Sequence, residues 1–199
     1  FLNIKKCAFY WAAKNVFLPM YADIEVIDDT IITYEGGIYT CGCGYSNLNL
    51  LLYIIEKQLG KDMSILASKM FEIDIERKSQ NPFLIFMGQK RHEDQNVLHA
   101  QEYIETNPTK MFSVDEICTR FDMGRRTFER RFKKCTGNSV AEYIQRVKVE
   151  FAKKQLESSE KTINEIIYEV GYNDTDAFRK VFKRHTDFSP VNYRRRFRV

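Results

Sequence analysis

The second half of the chain contains an internal repeat that restricts its fold more than any other feature does. The segments "FERRFKKCTGNSVAEY" (128–143) and "FRKVFKRHTDFSPVNY" (178–193) align without a gap, with Phe, Phe, Lys, Thr, Ser and Tyr at matching positions. A short apolar stretch and a tight turn, "DMG" or "GYND", precede each copy. A short helix, a turn and a second helix, occurring twice, predict two helix-turn-helix units at about 113–135 and 163–185.

Capping signals indicate where the helices of this half begin and end. A hydroxyl residue followed three positions later by glutamate can close a capping box, in which each side chain bonds the other residue's backbone amide. Such boxes are predicted at three starts, namely Ser113–Glu116, Ser139–Glu142 and Thr162–Glu165. Ser189 followed by Pro190 supplies a fourth start, and Gly137 and Gly171 stand where helices should stop. The chain is therefore predicted to be helical from Asp94 onward.

Each copy of the repeat predicts an amphipathic helix. At about 100° per residue, the inner faces hold Phe128, Phe132 and Cys135 in one copy and Phe178, Phe182 and His185 in the other. The outer faces hold Arg126, Glu129, Arg130 and Lys133, and Asp176, Arg179, Lys180 and Lys183. Paired Phe alone indicates core packing, and a basic face alone indicates solvated surface. Their duplication in register favours helices that present polar donors to a DNA groove.

The charge of the chain is divided unequally between its two halves. Residues 1–108 carry 10 basic and 14 acidic side chains, whereas residues 109–199 carry 21 and 13, giving balances of −4 and +8. Such asymmetry predicts two domains, of which the second faces a polyanion.

The cysteines and the apolar runs bear on the compartment. The five cysteines (7, 41, 43, 118 and 135) form no C-x-x-C pair, which favours free thiols in a reducing cytoplasm and disfavours a structural zinc site. The longest apolar run, Leu48 to Ile55, is far shorter than a membrane span. We therefore expect a cytoplasmic protein with no membrane partner and no metal.

The first half predicts a mixture of strands and helices. Residues 7–20 are compatible with a helix, and two β-branched runs, Ile24–Ile27 and Thr30–Tyr34, predict a strand pair or a strand extension. Helices are predicted over Ser46–Leu59, closed by Gly60, and over Lys61–Ile73. The polar stretch "ERKSQNP" begins a predicted linker over 76–93.

The stretch from Thr40 to Gly60 raises a question of chemistry. A glycine-rich turn holding Cys41 and Cys43 stands between a β-like run and an apolar helix, an order similar to the nucleophile elbow of hydrolases. A reactive thiol would need a base within hydrogen-bond reach, and neither His92 nor His99 is placed for this by local sequence. Both a structural turn and a reactive thiol stay open from the residues themselves.

The repeat region resembles the DNA-binding domain of the AraC/XylS family of bacterial transcription regulators. The resemblance is carried by "SVDEICTRFDMGRRTFERRFKKCTGNSVAEYIQRVKVEFAKKQL" and "INEIIYEVGYNDTDAFRKVFKRHTDFSPVNYRRR" and covers about half of the chain. It implies seven helices in 94–199, with a long helix from Ser139 to Leu156 joining the two helix-turn-helix units. Gly124 departs from the family's usual capping Ser, and Lys148 departs from its usual Arg.

The resemblance implies a sequence-specific DNA-binding transcription regulator that inserts one helix of each unit into successive major grooves. We expect the base contacts and phosphate contacts to come from twelve residues: Arg125, Arg126, Glu129, Arg130, Lys133, Asn173, Thr175, Asp176, Arg179, Lys180, Lys183 and Arg194. The partner is double-stranded DNA. The resemblance also allows RNA polymerase, a small-molecule effector and, through the N-terminal domain, a second copy of the chain. No catalytic residue, metal or cofactor is expected.

A second resemblance covers the first half. "GGIYTCGCGYSNLNLLLYIIEKQLGKDMSILASKM" is similar to the last part of the amidotransferase-like (PfpI-type) domain that precedes this DNA-binding domain in GlxA-type regulators. It implies that Cys41 and Cys43 are structural. The predicted fold is thus mainly α, with a seven-helix double helix-turn-helix domain after a part (1–75) of an α/β, flavodoxin-like domain.

Two alternatives of other classes stay open. One is a Cys-dependent amidase or glyoxalase-like enzyme fused to a DNA-binding module. The other is a DNA-repair protein, because alkyl-acceptor regulators share this binding domain, although their cysteine zinc cluster is not seen in this sequence.

Overall fold

A computed structural model describes residues 5–21, 23–27, 30–42, 44–75 and 79–198. It divides into two compact units, residues 1–84 and residues 85–199, called here the N-terminal and C-terminal units. The N-terminal unit contains the strands β1 Lys6–Ala8, β2 Glu25–Ile27, β3 Ile32–Glu35 and β4 Ile38–Cys41, and the helices α1 Lys14–Phe17, α2 Ser46–Leu59 and α3 Lys61–Met70. Short 3-10 turns cover Trp11–Ala13 and Asn81–Phe83.

Strand pairing in the N-terminal unit differs from the predicted pair. β1 pairs in parallel with β2, while β3 pairs antiparallel with β4. Gly36 and Gly37, with φ of 58° and 83°, form the two-residue turn of this hairpin, since such turns need left-handed backbone. The predicted helix over 7–20 is wrong at its start, where Cys7 and Ala8 are buried in β1. The backbone N–H of Ala8 bonds hydroxyls of both hairpin strands, so a tertiary contact selects the strand.

Of α2 and α3 in the N-terminal unit, the first ends where the sequence predicts and the second ends earlier. α2 ends at Gly60, as predicted, and α3 begins directly after it. α3 ends at Met70 and not at the predicted Ile73, because Glu72 takes a left-handed conformation (φ 53°) and the Ile73 amide turns back to the Ser68 carbonyl at 2.9 Å. Since these bonds close the helix C-terminus, the helix cannot continue.

The segment predicted as a linker over 76–93 belongs partly to each unit. Gln80 is 2% exposed, and its side-chain amide donates to the carbonyls of Phe9 and Thr30 within the N-terminal unit. Residues 85–93 pack on the C-terminal unit: the ring of Phe86 lies edge-on to Tyr143 with 5.0 Å between centroids. Side-chain contacts of Gln80 and Phe86, which composition does not reveal, thus tie parts of the predicted linker to the two units, while its first residues, 76–78, lie outside the described residues.

Within the described residues 85–198, the C-terminal unit contains seven helices. They are α4 Gln95–Thr106, α5 Val114–Arg120, α6 Arg125–Thr136, α7 Val140–Ser158, α8 Ile163–Glu169, α9 Thr175–Thr186 and α10 Pro190–Phe197. α5 and α6 form the first helix-turn-helix, α8 and α9 form the second, and α7 is called the connecting helix. The mainly helical, seven-helix prediction is confirmed.

The predicted capping boxes close at two of three starts. Ser113 with Glu116, and Thr162 with Glu165, make both reciprocal bonds. At the third start Ser139 accepts from the Glu142 amide, but the Glu142 carboxylate pairs with Arg146 on the next turn at 3.1 Å instead of returning to the cap. An arginine four residues ahead thus outcompetes the cap amide for this carboxylate.

Two separate apolar cores share the connecting helix. The first core takes Val140, Tyr143, Ile144 and Val147 from α7 and packs them against α4, α5 and α6. The second core takes Val149, Ala152 and Leu156 and packs them against α8, α9 and α10. One continuous helix therefore carries both helix-turn-helix units, and the change from one core to the other falls at residue 148.

Candidate nucleic-acid interface

The two halves of the repeat form the same structure. In α6 Phe128 and Phe132 are fully buried, with ring centroids 5.5 Å apart, and in α9 Phe178 and Phe182 do the same at 5.8 Å. A tyrosine eleven residues after the second Phe meets that ring edge-on, Tyr143 at 5.2 Å and Tyr193 at 5.4 Å. Because both helices are anchored by equivalent aromatic clusters, they present equivalent outer faces.

The C-terminal ends of α6 and α9 are closed in the same way. The buried hydroxyls of Thr136 and Thr186 each donate to the carbonyl four residues earlier at 2.8 Å. Each hydroxyl also accepts from the backbone N–H two residues later, at 3.1 Å and 3.3 Å. The recurring Thr of the sequence repeat is thus a structural residue that ends the helix.

The predicted outer faces are exposed. All four predicted side chains are exposed on each helix: Arg126, Glu129, Arg130 and Lys133 on α6, and Asp176, Arg179, Lys180 and Lys183 on α9. Each face carries three basic residues and one acidic residue, but the acid lies at a different register position, at 129 in α6 and at 176 in α9. Two faces of equal charge and different donor pattern can recognise different base sequences.

The N-termini of α6 and α9 are built differently. Asp174 caps α9, accepting from the amides of Asp176 and Ala177 at 2.9 and 3.0 Å, and these bonds lower the pKa of its carboxyl. Gly124 begins α6 and provides no side-chain cap. The first amides of α6 are therefore available to an acceptor outside the chain, such as a phosphate oxygen.

Arg125 is bound by two acidic side chains. Its guanidinium donates to both carboxylate oxygens of Asp115 at 3.0 Å and to Glu129 at 3.2 Å. The hydrogen bond that Arg125 donates to Glu129, together with the negative charge of Asp115, raises the pKa of Arg125. Asp115 was missed by sequence reasoning. It is an acidic residue in the first turn of α5, ten residues before Arg125.

The second helix-turn-helix has its own internal contacts. Arg179 donates to Asp176 at 2.9 Å and to Asn164 at 3.4 Å, so two of the predicted base-contacting residues bind each other in the absence of DNA. Asn173 is exposed just before the capping residue, and Thr175 is the first residue of α9. Lys180 and Lys183 point outward from the same helix face.

Arg194 has a different environment from the one expected. Its guanidinium donates to the carbonyl of Lys161 at 2.6 Å and to that of Leu156 at 3.4 Å, which fastens α10 to the end of the connecting helix. Arg195 and Arg196 on the following positions are exposed. Arg198 is exposed as well and pairs with Glu160.

Three of the cysteines have environments that favour the protonated thiol. Burial raises the pKa of Cys7, Cys118 and Cys135. Cys41 donates its S–H to the Asn47 side-chain oxygen at 2.6 Å, and Cys43 lies outside the described residues. The three histidines all belong to the C-terminal unit. A side chain at Gly42 would meet Gln80 at 2.5 Å, so close packing requires a glycine in this turn.

The part of the chain that the structure describes has neither a metal-binding cluster nor a membrane-spanning helix. No group of three His, Cys, Asp or Glu side chains among these residues is arranged to hold a metal ion. No described helix has the length and apolar character needed to cross a membrane.

The duplicated helix-turn-helix on a shared helix, with two exposed basic faces, defines a DNA-binding domain. A family model described as "Helix-turn-helix domain" matches residues 117–196. An uncharacterized HTH-type transcriptional regulator of Pseudoalteromonas carrageenovora is 33% identical over 101 residues, which are 51% of this chain and 60% of that protein. The xylose operon regulatory protein of Escherichia coli K12 is 34% identical over 101 residues, covering 51% of this chain and 26% of its own length.

A solved structure agrees with these relatives. The DNA-binding domain of AdpA, a global transcriptional factor crystallised with a target DNA, is 27% identical, with a TM-score of 0.50 over 51% of this chain and 92% of that chain. The C-terminal unit is therefore a helix-turn-helix DNA-binding domain of the AraC type found in transcriptional regulators. The present chain spans 60% or less of the length of the curated relatives described above.

Proposed function

We propose that the protein regulates transcription by binding double-stranded DNA sequence-specifically, with α6 and α9 as its two recognition helices. The observation that carries this proposal is the equivalent packing of the two recognition helices. Each has a buried Phe pair beneath an exposed face with three basic residues. A helix of this kind fits the major groove, and two on one rigid helix can occupy successive grooves of one duplex.

The exposed residues divide into two roles. Arg126, Glu129 and Arg130 in α6, with Asp176, Arg179 and Lys180 in α9, are proposed to contact bases, because arginine pairs bidentately with guanine and carboxylates accept from the cytosine amine. Lys133 and Lys183 lie one turn further along and are proposed to bind phosphates. Thr175 and Asn173 lie beside the N-terminus of α9, where a backbone phosphate is also stabilised.

Arg125 and Arg194 are proposed to act indirectly. The Asp115 and Glu129 contacts of Arg125 orient the Glu129 carboxylate, and the carbonyl contacts of Arg194 hold α10 in place. Both residues support the interface by fixing neighbouring groups.

The N-terminal unit is proposed to be part of a GlxA-type amidotransferase-like domain that senses an effector and dimerises, without catalysing a reaction. The support is its α/β character: a parallel pair of strands joined through a helix, followed by a hairpin and two helices. The hydrogen bond of Cys41 to Asn47 and the close packing at Gly42 support a structural turn. RNA polymerase is proposed as the partner through which the bound regulator acts, in the cytoplasm.

A DNA selection experiment tests the proposed function. The chain is expected to enrich a defined sequence from a random duplex pool, with affinity falling by orders of magnitude between about 50 and 200 mM salt as condensed counterions are released. Recovery of no preferred sequence, or a flat salt dependence, contradicts the proposal.

Two substitutions test the assignment of roles. Arg130→Ala is expected to relax sequence preference at one base position and to weaken binding by about 1–3 kcal/mol. Lys183→Ala is the matched comparison, since it should weaken binding to all sequences alike and reduce the salt slope by about 1. Uniform losses across a panel of sites for both variants contradict the division into base-contacting and phosphate-contacting residues.

A further inference from the structure

Lys148 lies at the point where the connecting helix passes from one core to the other. Its neighbour Val147 packs in the first core, and Val149 packs in the second. Lys148 itself is 6% exposed. A buried ammonium at this position is unusual, because lysine is rarely buried without a specific partner.

The partner of Lys148 is the end of α8. The Lys148 ammonium donates to the Val170 carbonyl, which is the last acceptor of that helix. Two earlier carbonyls in the last turn of α8 already accept from the backbone, since the Gly171 amide donates to Tyr168 at 2.9 Å and the Tyr172 amide donates to Ile167 at 3.1 Å. The C-terminal end of a helix carries partial negative charge, which stabilises a nearby cation. The Lys148 ammonium is therefore held at the end of α8.

The first helix-turn-helix reaches the same point through the loop between α4 and α5. Gly171 has a left-handed backbone (φ +79°), and a Cβ placed there would lie 3.0 Å from Met111 Cγ, 3.2 Å from Lys148 Nζ and 3.3 Å from the Thr109 carbonyl oxygen. Met111 and Thr109 belong to the loop before α5. The two helix-turn-helix units therefore meet at a single junction, formed by the α4–α5 loop, the α8–α9 turn and the Lys148 ammonium.

Stability alone does not explain a lysine at this junction. Burial lowers the pKa of Lys148 to about 8, so its charged form is disfavoured in the folded chain. Replacing a buried charge by an apolar side chain of similar length is often neutral or stabilising. What an apolar side chain cannot supply is a directed bond to the Val170 carbonyl.

We propose that Lys148 is a positioning residue that fixes the rotation of the second helix-turn-helix relative to the first. It thereby sets the spacing of the two DNA half-sites that the protein accepts. This inference rests on the proposed function, in which both recognition helices engage one duplex.

The test uses the full chain and duplexes that carry the two selected half-sites with one base pair inserted or removed between them. The wild type is expected to lose affinity by about tenfold or more on either change, the size of loss seen for a mismatched position. In Lys148→Met this loss is expected to shrink to about threefold or less, as expected when coupling between two sites is weakened. Lys154→Met, an exposed lysine on the same helix, is the matched control and should behave as wild type.

Two further measurements distinguish positioning from a purely structural role. Lys148→Met should melt at the wild-type temperature or above it, and should bind a duplex with a single half-site as the wild type does. Lys148→Arg, which keeps a charged donor, should retain the spacing preference. If Lys148→Met keeps the wild-type spacing preference, the inference is overturned. It is also overturned if Lys148→Met fails to fold, or loses all DNA binding, while Lys154→Met folds and binds normally.

Gly171→Ala provides a second, independent perturbation of the junction. Its added methyl group would press on the Lys148 ammonium and on the α4–α5 loop, and we expect a broadened spacing preference with both half-sites still bound. An unchanged spacing preference in a folded Gly171→Ala protein also overturns the inference. If the wild type selects no DNA sequence at all, the proposed function fails, and this result is distinct from a failure confined to the variants.

Discussion

Replacing His185 by Leu should remove the contribution that this buried imidazole makes to the acid sensitivity of the C-terminal unit. His185 lies on the inner face of α9, and its Nε2 atom is buried without a hydrogen-bond partner among the described residues. Burial lowers the pKa of His185 to about 4, and the charges of Arg146 and Arg184 act in the same direction, while Glu142 opposes them. The folded chain therefore holds this imidazole in its neutral form.

The size and sign of the effect follow from the difference between the folded and unfolded pKa values. An ordinary histidine titrates near 6.5, so a shift of about 2.5 units corresponds to about 3.4 kcal/mol, at about 1.36 kcal/mol per unit. Because the ring keeps partial contact with solvent, we expect about 2 kcal/mol. The unfolded chain binds the proton first, so stability is complete above about pH 6.5 and is lost as the pH falls toward about 4.

The assay is urea unfolding followed by far-ultraviolet circular dichroism, at several values between about pH 7 and pH 4. The difference in unfolding free energy between wild type and His185→Leu should change by about 2 kcal/mol across this range. Carboxylates that titrate in both proteins cancel in the difference. His185→Cys, which copies the equivalent Cys135 of the first unit, should show the same flattening, since a cavity changes the level of stability but not its pH slope. Parallel pH profiles in wild type and both variants refute the reasoning.

Two further predictions concern the helices themselves. Gly124→Ser should raise the unfolding free energy, measured by urea unfolding, by a few tenths of a kcal/mol to about 1 kcal/mol. The reason is that α6 lacks a side-chain cap and a Cβ at Gly124 meets nothing within 4 Å. An unchanged or lower unfolding free energy contradicts the capping argument. Insertion of one alanine after the exposed Lys154 should rotate the last turn of α7 and the chain that follows it by about 100°, and remove one of two half-site footprints while helicity is retained. An intact double footprint means that the two helix-turn-helix units are flexibly joined.

Local signals explain how much of the C-terminal unit could be predicted. The start at Ser113 and the stops at Gly137 and Gly171 depend on residues within one helical turn, so sequence spacing suffices to locate them. The burial of Phe128 and Phe178 follows from a period of about 3.6 residues, which is a property of each helix alone. The exposed faces of α6 and α9 follow from the same period.

The side-chain partners of the interface could not be predicted in this way. Arg125 is ten residues from Asp115, and Arg194 is 33 residues from Lys161, so only the packing of separate helices brings these groups together. Glu142 shows that even a local signal can fail, since Arg146 competes for its carboxylate. Sequence spacing identifies the groups that can bind a given side chain, but not which of them binds it in the folded protein.

The sequence by itself therefore determined the number of helices in the C-terminal unit, the duplication of the helix-turn-helix and the helix faces that meet solvent. These features are local, because they depend on hydrogen bonds within one helix and on the burial of its apolar face. The tertiary structure decided the pairing of β1 with β2, the packing of residues 85–93 and the contact of Lys148 with the end of α8. Each of these depends on groups distant in sequence that compete for the same donor, acceptor or space. Their outcome is settled by the free energy of the whole packed unit, which no short stretch of sequence contains.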